Sequence, residues 1–114
     1  MPIDDNQLND QQLEEKLAQS PAPRVTLEQM TARIKDVQYT RIGETTTHCL
    51  VKLDNGYTVS GESACVNPAN YNKEIGERIA HDNAFQKLWP LFGFLLAEDQ
   101  FRASKANAQN KEAA

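Results

Sequence analysis

The sequence predicts an α+β fold: a short helix, a three-stranded antiparallel meander and a long helix packed on the sheet, with disordered termini. Three observations carry this reading. A capping-box start lies at Thr26. Period-two alternation runs between Val37 and Val66 around an Asp54-Asn55-Gly56 turn, and apolar residues recur every three to four positions from Tyr71 to Trp89. With 114 residues, a single domain with a modest core is the expectation, which excludes a multi-domain enzyme and any large cofactor fold.

Residues 1–24 are rich in Gln, Asn and Asp and end in Ser20-Pro21-Ala22-Pro23. Leu8, Leu13 and Leu17 would form only a thin apolar stripe, too little to offset the ordering entropy. This segment reads as a disordered acidic arm ahead of a domain at 25–101. Thr26 and Gln29 then have capping-box spacing, and Val25 and Met30 are placed as a hydrophobic staple. With Leu27 and Ile34 at helical spacing, a short helix is expected near 27–35.

The strands follow. Val37, Tyr39 and Arg41 alternate with polar residues, and Thr45-Thr46-Thr47 is β-branched. Between Leu50-Val51-Lys52-Leu53 and Tyr57-Thr58-Val59, loop length decides which side chains share a face. A three-residue loop pairs Leu53 with Tyr57, Val51 with Val59 and Cys49 with Gly61, gathering the apolar side chains on one side. It also gives Gly56 the left-handed position of a bulged type I turn. In this register Cys49 and Cys65 lie roughly 13 Å apart, too far for a disulfide. Two free thiols suit a reducing compartment.

Asn67-Pro68 ends the last strand. Tyr71, Ile75, Ile79, Phe85, Leu88 and Trp89 mark a main helix over roughly 70–89, with Gly76 and Ile79 expected against Val51 and Val59. Gly76 costs that helix about 1 kcal/mol relative to Ala, which a close approach to the sheet would offset. Pro90 is expected to kink or end it. Leu91-Phe92-Gly93-Phe94-Leu95-Leu96 is the most apolar run, and residues 102–114 read as a frayed tail.

The formal charge of −4 sits in residues 1–20, where five acids face one base; the other 94 residues carry 11 of each sign. A chain without clustered Lys and Arg is poorly built for a phosphate backbone, so nucleic acid is not an expected partner. No apolar run reaches the length of a membrane span, and the acidic N-terminus lacks a signal peptide's basic and apolar regions. The expected compartment is the cytoplasm.

The chemical motifs are weak. Gly61-Glu62-Ser63-Ala64-Cys65 superficially follows a nucleophile elbow but has Cys where the elbow needs Gly. Cys65 as a thiol nucleophile needs a base, with His48 and His81 the candidates. Cys49, Cys65, His48 and His81 lack metal-ligand spacing, so no metal and no cofactor is expected. Asn70, Tyr71, Asn72 and Lys73 gather at the start of the main helix, where an anion is favoured, and Arg78 lies one turn on. These residues make Asn70, Tyr71, Lys73 and Arg78 a candidate phosphate or nucleotide site. Phe85, Trp89, Phe92, Phe94 and Phe101 are five of eight aromatics within 17 residues. A small sheet and one helix cannot hide them all, so Trp89, Phe92, Phe94 and Phe85 are the candidate partner-binding residues.

The run Gly61-Glu62-Ser63-Ala64-Cys65-Val66-Asn67-Pro68-Ala69-Asn70-Tyr71-Asn72, followed by Glu74-Ile75-Gly76 and Lys87-Leu88-Trp89-Pro90-Leu91, resembles the gene-product-49/gene-66 family of small tailed-phage proteins. The resemblance covers roughly 37–97. The chain departs from that pattern at Phe92, where an acid is usual, and at Asn67, where Asp is usual. The family has no established activity, so no catalytic residue transfers. What the resemblance implies is a phage or prophage origin and action in the host bacterial cytoplasm. Small phage accessory proteins commonly act by binding. The leading expectation is a non-enzymatic accessory protein that binds a host protein or complex, or itself, in host takeover or counter-defence. The alternatives are an oligomeric cyclic-nucleotide-sequestering protein and a thiol-dependent enzyme using Cys65.

Overall fold

The structure, a computed structural model, describes residues 8–113, with side chains described to Ala108. The order is helix α1 (Asp10–Ala18), helix α2 (Leu27–Ala32), strands β1 (Ile34–Ile42), β2 (Thr46–Leu53) and β3 (Thr58–Ala64), a 3₁₀ turn (Pro68–Asn70), helix α3 (Lys73–Gln86) and helix α4 (Leu88–Ala113). The sheet is a three-stranded antiparallel meander in the order β1-β2-β3. The fold is α+β, as expected from the pattern.

The β2–β3 hairpin has the three-residue loop. Val51 pairs with Val59 and Cys49 with Gly61, the Leu53 N–H donates to the Tyr57 carbonyl at 2.8 Å, and Gly56 has φ +90°. The first hairpin turns the same way: Ile42 pairs with Thr46 and Gly43 takes φ +65°. Thr47, Cys49, Val51 and Leu53 therefore share one buried face of β2. Cys49 and Cys65 are both free.

α2 begins at the predicted capping box, with the Thr26 hydroxyl and the Gln29 side chain each accepting the other's backbone N–H. It ends earlier than the spacing suggests. Ile34 is already strand and pairs with Leu53, because the Arg33 carbonyl is taken by the Asp54 N–H at 2.8 Å. A bulge follows at Lys35, between the Ile34 and Asp36 pairings.

α3 differs most from expectation. It starts at an Asn72 cap, whose side chain accepts from the Ile75 N–H at 3.1 Å, and it stops at Gln86. The chain then turns at Lys87 and enters α4, so Pro90 lies in the first turn of a new helix, where a missing N–H costs little. The face that α3 buries is not the one marked by large side chains. Ala80 and Ala84 are buried while Ile75 is 59% and Ile79 46% exposed. A Cβ on Gly76 would meet the Thr47 hydroxyl at 2.6 Å, not Val51 or Val59. One on Gly61 would lie 2.2 Å from the Ala84 backbone nitrogen. Gly76, Ala80 and Ala84, each four residues apart, let the helix ride close on β2 and β3. Ser63 Oγ donates to the Gly76 carbonyl at 2.6 Å and Asn83 Nδ2 to the Glu62 carbonyl at 2.8 Å, fixing the helix against β3.

The termini are helical within the described residues. Where a disordered arm was expected, Asn9 and Gln12 make a second capping box that opens α1, and Arg24 Nε reaches the Leu17 carbonyl at 3.0 Å. None of α1 is buried; residues 1–7 of the expected arm lie outside the described residues. Where a frayed tail was expected from residue 102, α4 continues through Ala113, a stretch of Ala, Lys, Arg and Gln with good helix propensity. Its first turns pack through Leu88 and Phe92 into the core formed with Met30, Cys49, Val51, Leu53 and Phe85.

Candidate functional site

The aromatic end of the chain divides between core and surface. Phe85 and Phe92, expected among the partner-binding residues, are buried, with the Arg33 guanidinium 5.8 Å above the Phe92 ring. Trp89 is about one-third exposed and meets Phe85 edge-on at 6.4 Å between ring centres. Phe94 is 67% exposed. Five residues along a helix amount to about 500°, so Trp89 and Phe94 look out on different sides. Trp89 borders a hollow of about 560 Å³ with Glu14 and Leu17 of α1 and with Leu27.

Phe94 belongs to a separate groove of about 200 Å³ between α4 and the β2–β3 turn. Leu53 and the buried Phe92 lie at its base, and Leu91, Phe94, Leu95 and Tyr57 form its walls. Tyr57 is 54% exposed. At the rim Arg33 forks onto Asp54, with contacts of 2.8 and 3.0 Å to Oδ1 and 3.3 Å to Oδ2. The hydrogen bond and charge of Arg33 hold the Asp54 carboxyl below its ordinary value, while Asp54 in turn raises the Arg33 guanidinium. The groove therefore combines apolar anchors with a fixed pair of opposite charges, the composition of a protein-docking patch.

Sequence reasoning finds Phe94 but misses Tyr57, Leu91, Leu95 and Arg33. The unbroken apolar run 91–96 has no periodicity to separate inward from outward positions. Arg33 is hidden within a helix extended too far.

The second candidate constellation comes together only in part. Asn70, Tyr71 and Asn72 line a cavity of about 70 Å³ under the start of α3, with Thr45, Thr47, Ser63 and Cys65. Thr47 is buried and its hydroxyl donates to the Tyr71 hydroxyl at 3.5 Å. The Arg41 guanidinium stacks 3.7 Å above the Tyr71 ring and donates to the Glu44 carbonyl. Lys73 and Arg78 do not join this cavity; both are exposed, and Arg78 pairs with Asp82 at 3.0 Å. At about 70 Å³ the space accepts about two waters, far short of the 300 Å³ or more that an organic ligand needs.

The thiols are similarly placed for structure. Cys65 Sγ lies 3.4 Å from the Asn67 carbonyl oxygen and 3.8 Å from that of Thr45, groups that do not favour a thiolate. Burial, reinforced by the charge of Glu77, pushes the Cys49 thiol up. His81 stacks on Phe85 at 6.0 Å. Among the described residues no cluster of three or more His, Cys, Asp or Glu is arranged to hold a metal ion. No helix there is long and apolar enough to cross a membrane.

Comparison with known proteins yields one result. The model of the phage protein (N4 Gp49/phage Sf6 gene 66) family matches residues 25–99, which run from the entry of α2 to the last packed turn of α4. No match was found among curated proteins or solved structures. The matched stretch is about two-thirds of the sequence and contains the meander, the small-residue face of α3 and the groove beside α4; the chain belongs to the phage protein (N4 Gp49/phage Sf6 gene 66) family.

Proposed function

We propose that this chain is a non-enzymatic phage accessory protein that acts in the host cytoplasm by binding a host protein through the groove between α4 and the β2–β3 turn. One observation carries the reading: Phe94 and Tyr57 expose their rings beside a preformed apolar base, under a fixed Arg33–Asp54 pair. Exposing two aromatic side chains at one groove costs solvation that a partner's apolar anchor would recover. Opposite charges at the rim then select its register.

The test is capture from host lysate by the tagged full chain. Phe94→Asp is expected to abolish capture of a discrete host protein while the melting midpoint stays within about 3 °C of wild type, since Phe94 contributes little to the core. Trp89→Ala is expected to weaken capture less, because that ring packs mainly on Phe85. Capture unchanged by Phe94→Asp would overturn the proposal.

A further inference from the structure

Beyond its groove, α4 carries a second surface. The helix has 26 residues, about 39 Å, yet its last contact surface with the domain is the hollow that Leu95, Leu96 and Asp99 line with Val25, Gln29 and Arg33. From Gln100 to Ala108 every residue is exposed. Beyond the groove walls, Glu98, Phe101, Lys105 and Ala108 follow one another in steps of three and four, the phase of a coiled-coil seam. Phe101, at 59% exposure, lies at its centre, and the small side chains of Ala97 and Ser104 beside it leave room for close approach.

We infer that the outer half of α4 is a self-association seam, in which two copies of this chain pair their α4 helices antiparallel about a two-fold axis near Phe101. The occupant follows from the charges. Within the seam Glu98 precedes Lys105 by seven residues, so both face the same way about 10 Å apart. Parallel copies would set Glu98 on Glu98 and Lys105 on Lys105. Antiparallel copies centred near Phe101 set each Glu98 opposite the partner's Lys105 and bring the two Phe101 rings together. The seam is thus self-complementary in one orientation only, as an isologous contact requires. Within one copy Glu98 pairs with Arg102 at 3.2 Å, and the Lys105 ammonium lies 5.9 Å from the Phe101 ring centre.

Sedimentation equilibrium of the full chain across about 1 µM to about 1 mM, the affinity range of small interfaces, reads this directly. The wild-type mass is expected to rise with concentration from 12.8 kDa toward twice that value. Phe101→Glu, which lies outside the groove and the core, should weaken dimerisation at least tenfold with unchanged helicity. Glu98→Lys should weaken it, and the exchange Glu98→Lys with Lys105→Glu should restore it, although a base at position 98, beside Arg102, persists in both variants. A wild-type chain that stays at 12.8 kDa throughout overturns the inference. So does a dimer indifferent to Phe101→Glu, or a Glu98→Lys variant that dimerises as wild type, the outcome of a parallel pair. Loss of the dimer with host capture intact would separate this inference from the groove reading.

Discussion

Gly61→Ala is the substitution whose outcome the packing of α3 most directly dictates. A Cβ at position 61 would stand 2.2 Å from the Ala84 nitrogen, 2.6 Å from the Ala80 oxygen and 2.8 Å from the Asn83 carbonyl carbon, where ordinary contact begins at 3.4 Å. All three are backbone atoms of one helix, so no side chain can rotate aside. α3 must lift by about 1 Å, and a gap of that size forfeits about a quarter to a half of the dispersion energy along the buried Ala80 and Ala84. Overpacking of this kind costs about 3 kcal/mol, from which a backbone-entropy gain of about 0.5–1 kcal/mol is subtracted. The net loss of about 2 kcal/mol or more lowers the thermal midpoint by about 8–16 °C for a domain of this size. Thermal unfolding followed by far-UV circular dichroism measures it. Gly93→Ala is the control: nothing lies within 4 Å of its would-be Cβ, and in a helix the change should stabilise by about 0.5–1 kcal/mol. A Gly61→Ala midpoint within about 3 °C of wild type would refute the close-approach argument.

Removing the α3 cap by Asn72→Ala should cost about 1 kcal/mol in urea unfolding, and a loss below about 0.3 kcal/mol would mean that the Ile75 N–H finds another acceptor. The Asp54 carboxyl, held down by Arg33, contributes stability that is fully present above its ordinary value of 3.8 and is lost as pH falls through its lower folded value. Asp54→Asn should therefore flatten the decline of stability below about pH 4, read from denaturation midpoints across an acid series; the effect is small because the pair is exposed. A colourimetric thiol titration should find one reactive cysteine, Cys65, in the folded chain and a second, the buried Cys49, only after unfolding. Two fast thiols in the native state would contradict the packing of β2.

The hairpin register is legible because period-two alternation and a left-handed glycine admit one loop length that keeps Val51, Val59 and Cys49 together. The α2 start is legible for a similar reason: Thr26 and Gln29 satisfy each other locally, whatever the tertiary fold. α3 escapes the pattern because hydrophobicity does not mark its buried face. Here the sheet selects the smallest side chains, and Ile75 and Ile79 stay outside. No local rule distinguishes a glycine that bends a helix from one that lets it approach a strand. The groove is half legible, since Phe94 stands out by composition but Tyr57 and Arg33 reach it only through the hairpin and the end of α2. The capping box at Asn9 and Gln12 carries a signal as clear as the one at Thr26, but the want of apolar partners around it conceals the helix.

α3 lies mainly over β2 and β3, and most residues of β1 are exposed. Such lopsided cover grades local stability across the sheet. Amides of β2, bonded on both sides and roofed by α3, should exchange with solvent through near-global opening. Those of β1 should exchange through cheaper, local excursions. Near the far end of β1, Arg41 lies across Tyr71, clasping the loose strand to the segment that leads into α3. Breaking that clasp would let the outer strand peel while the remaining hairpin and helix keep their order, a form of partial opening set by geometry and not by the total free energy of folding.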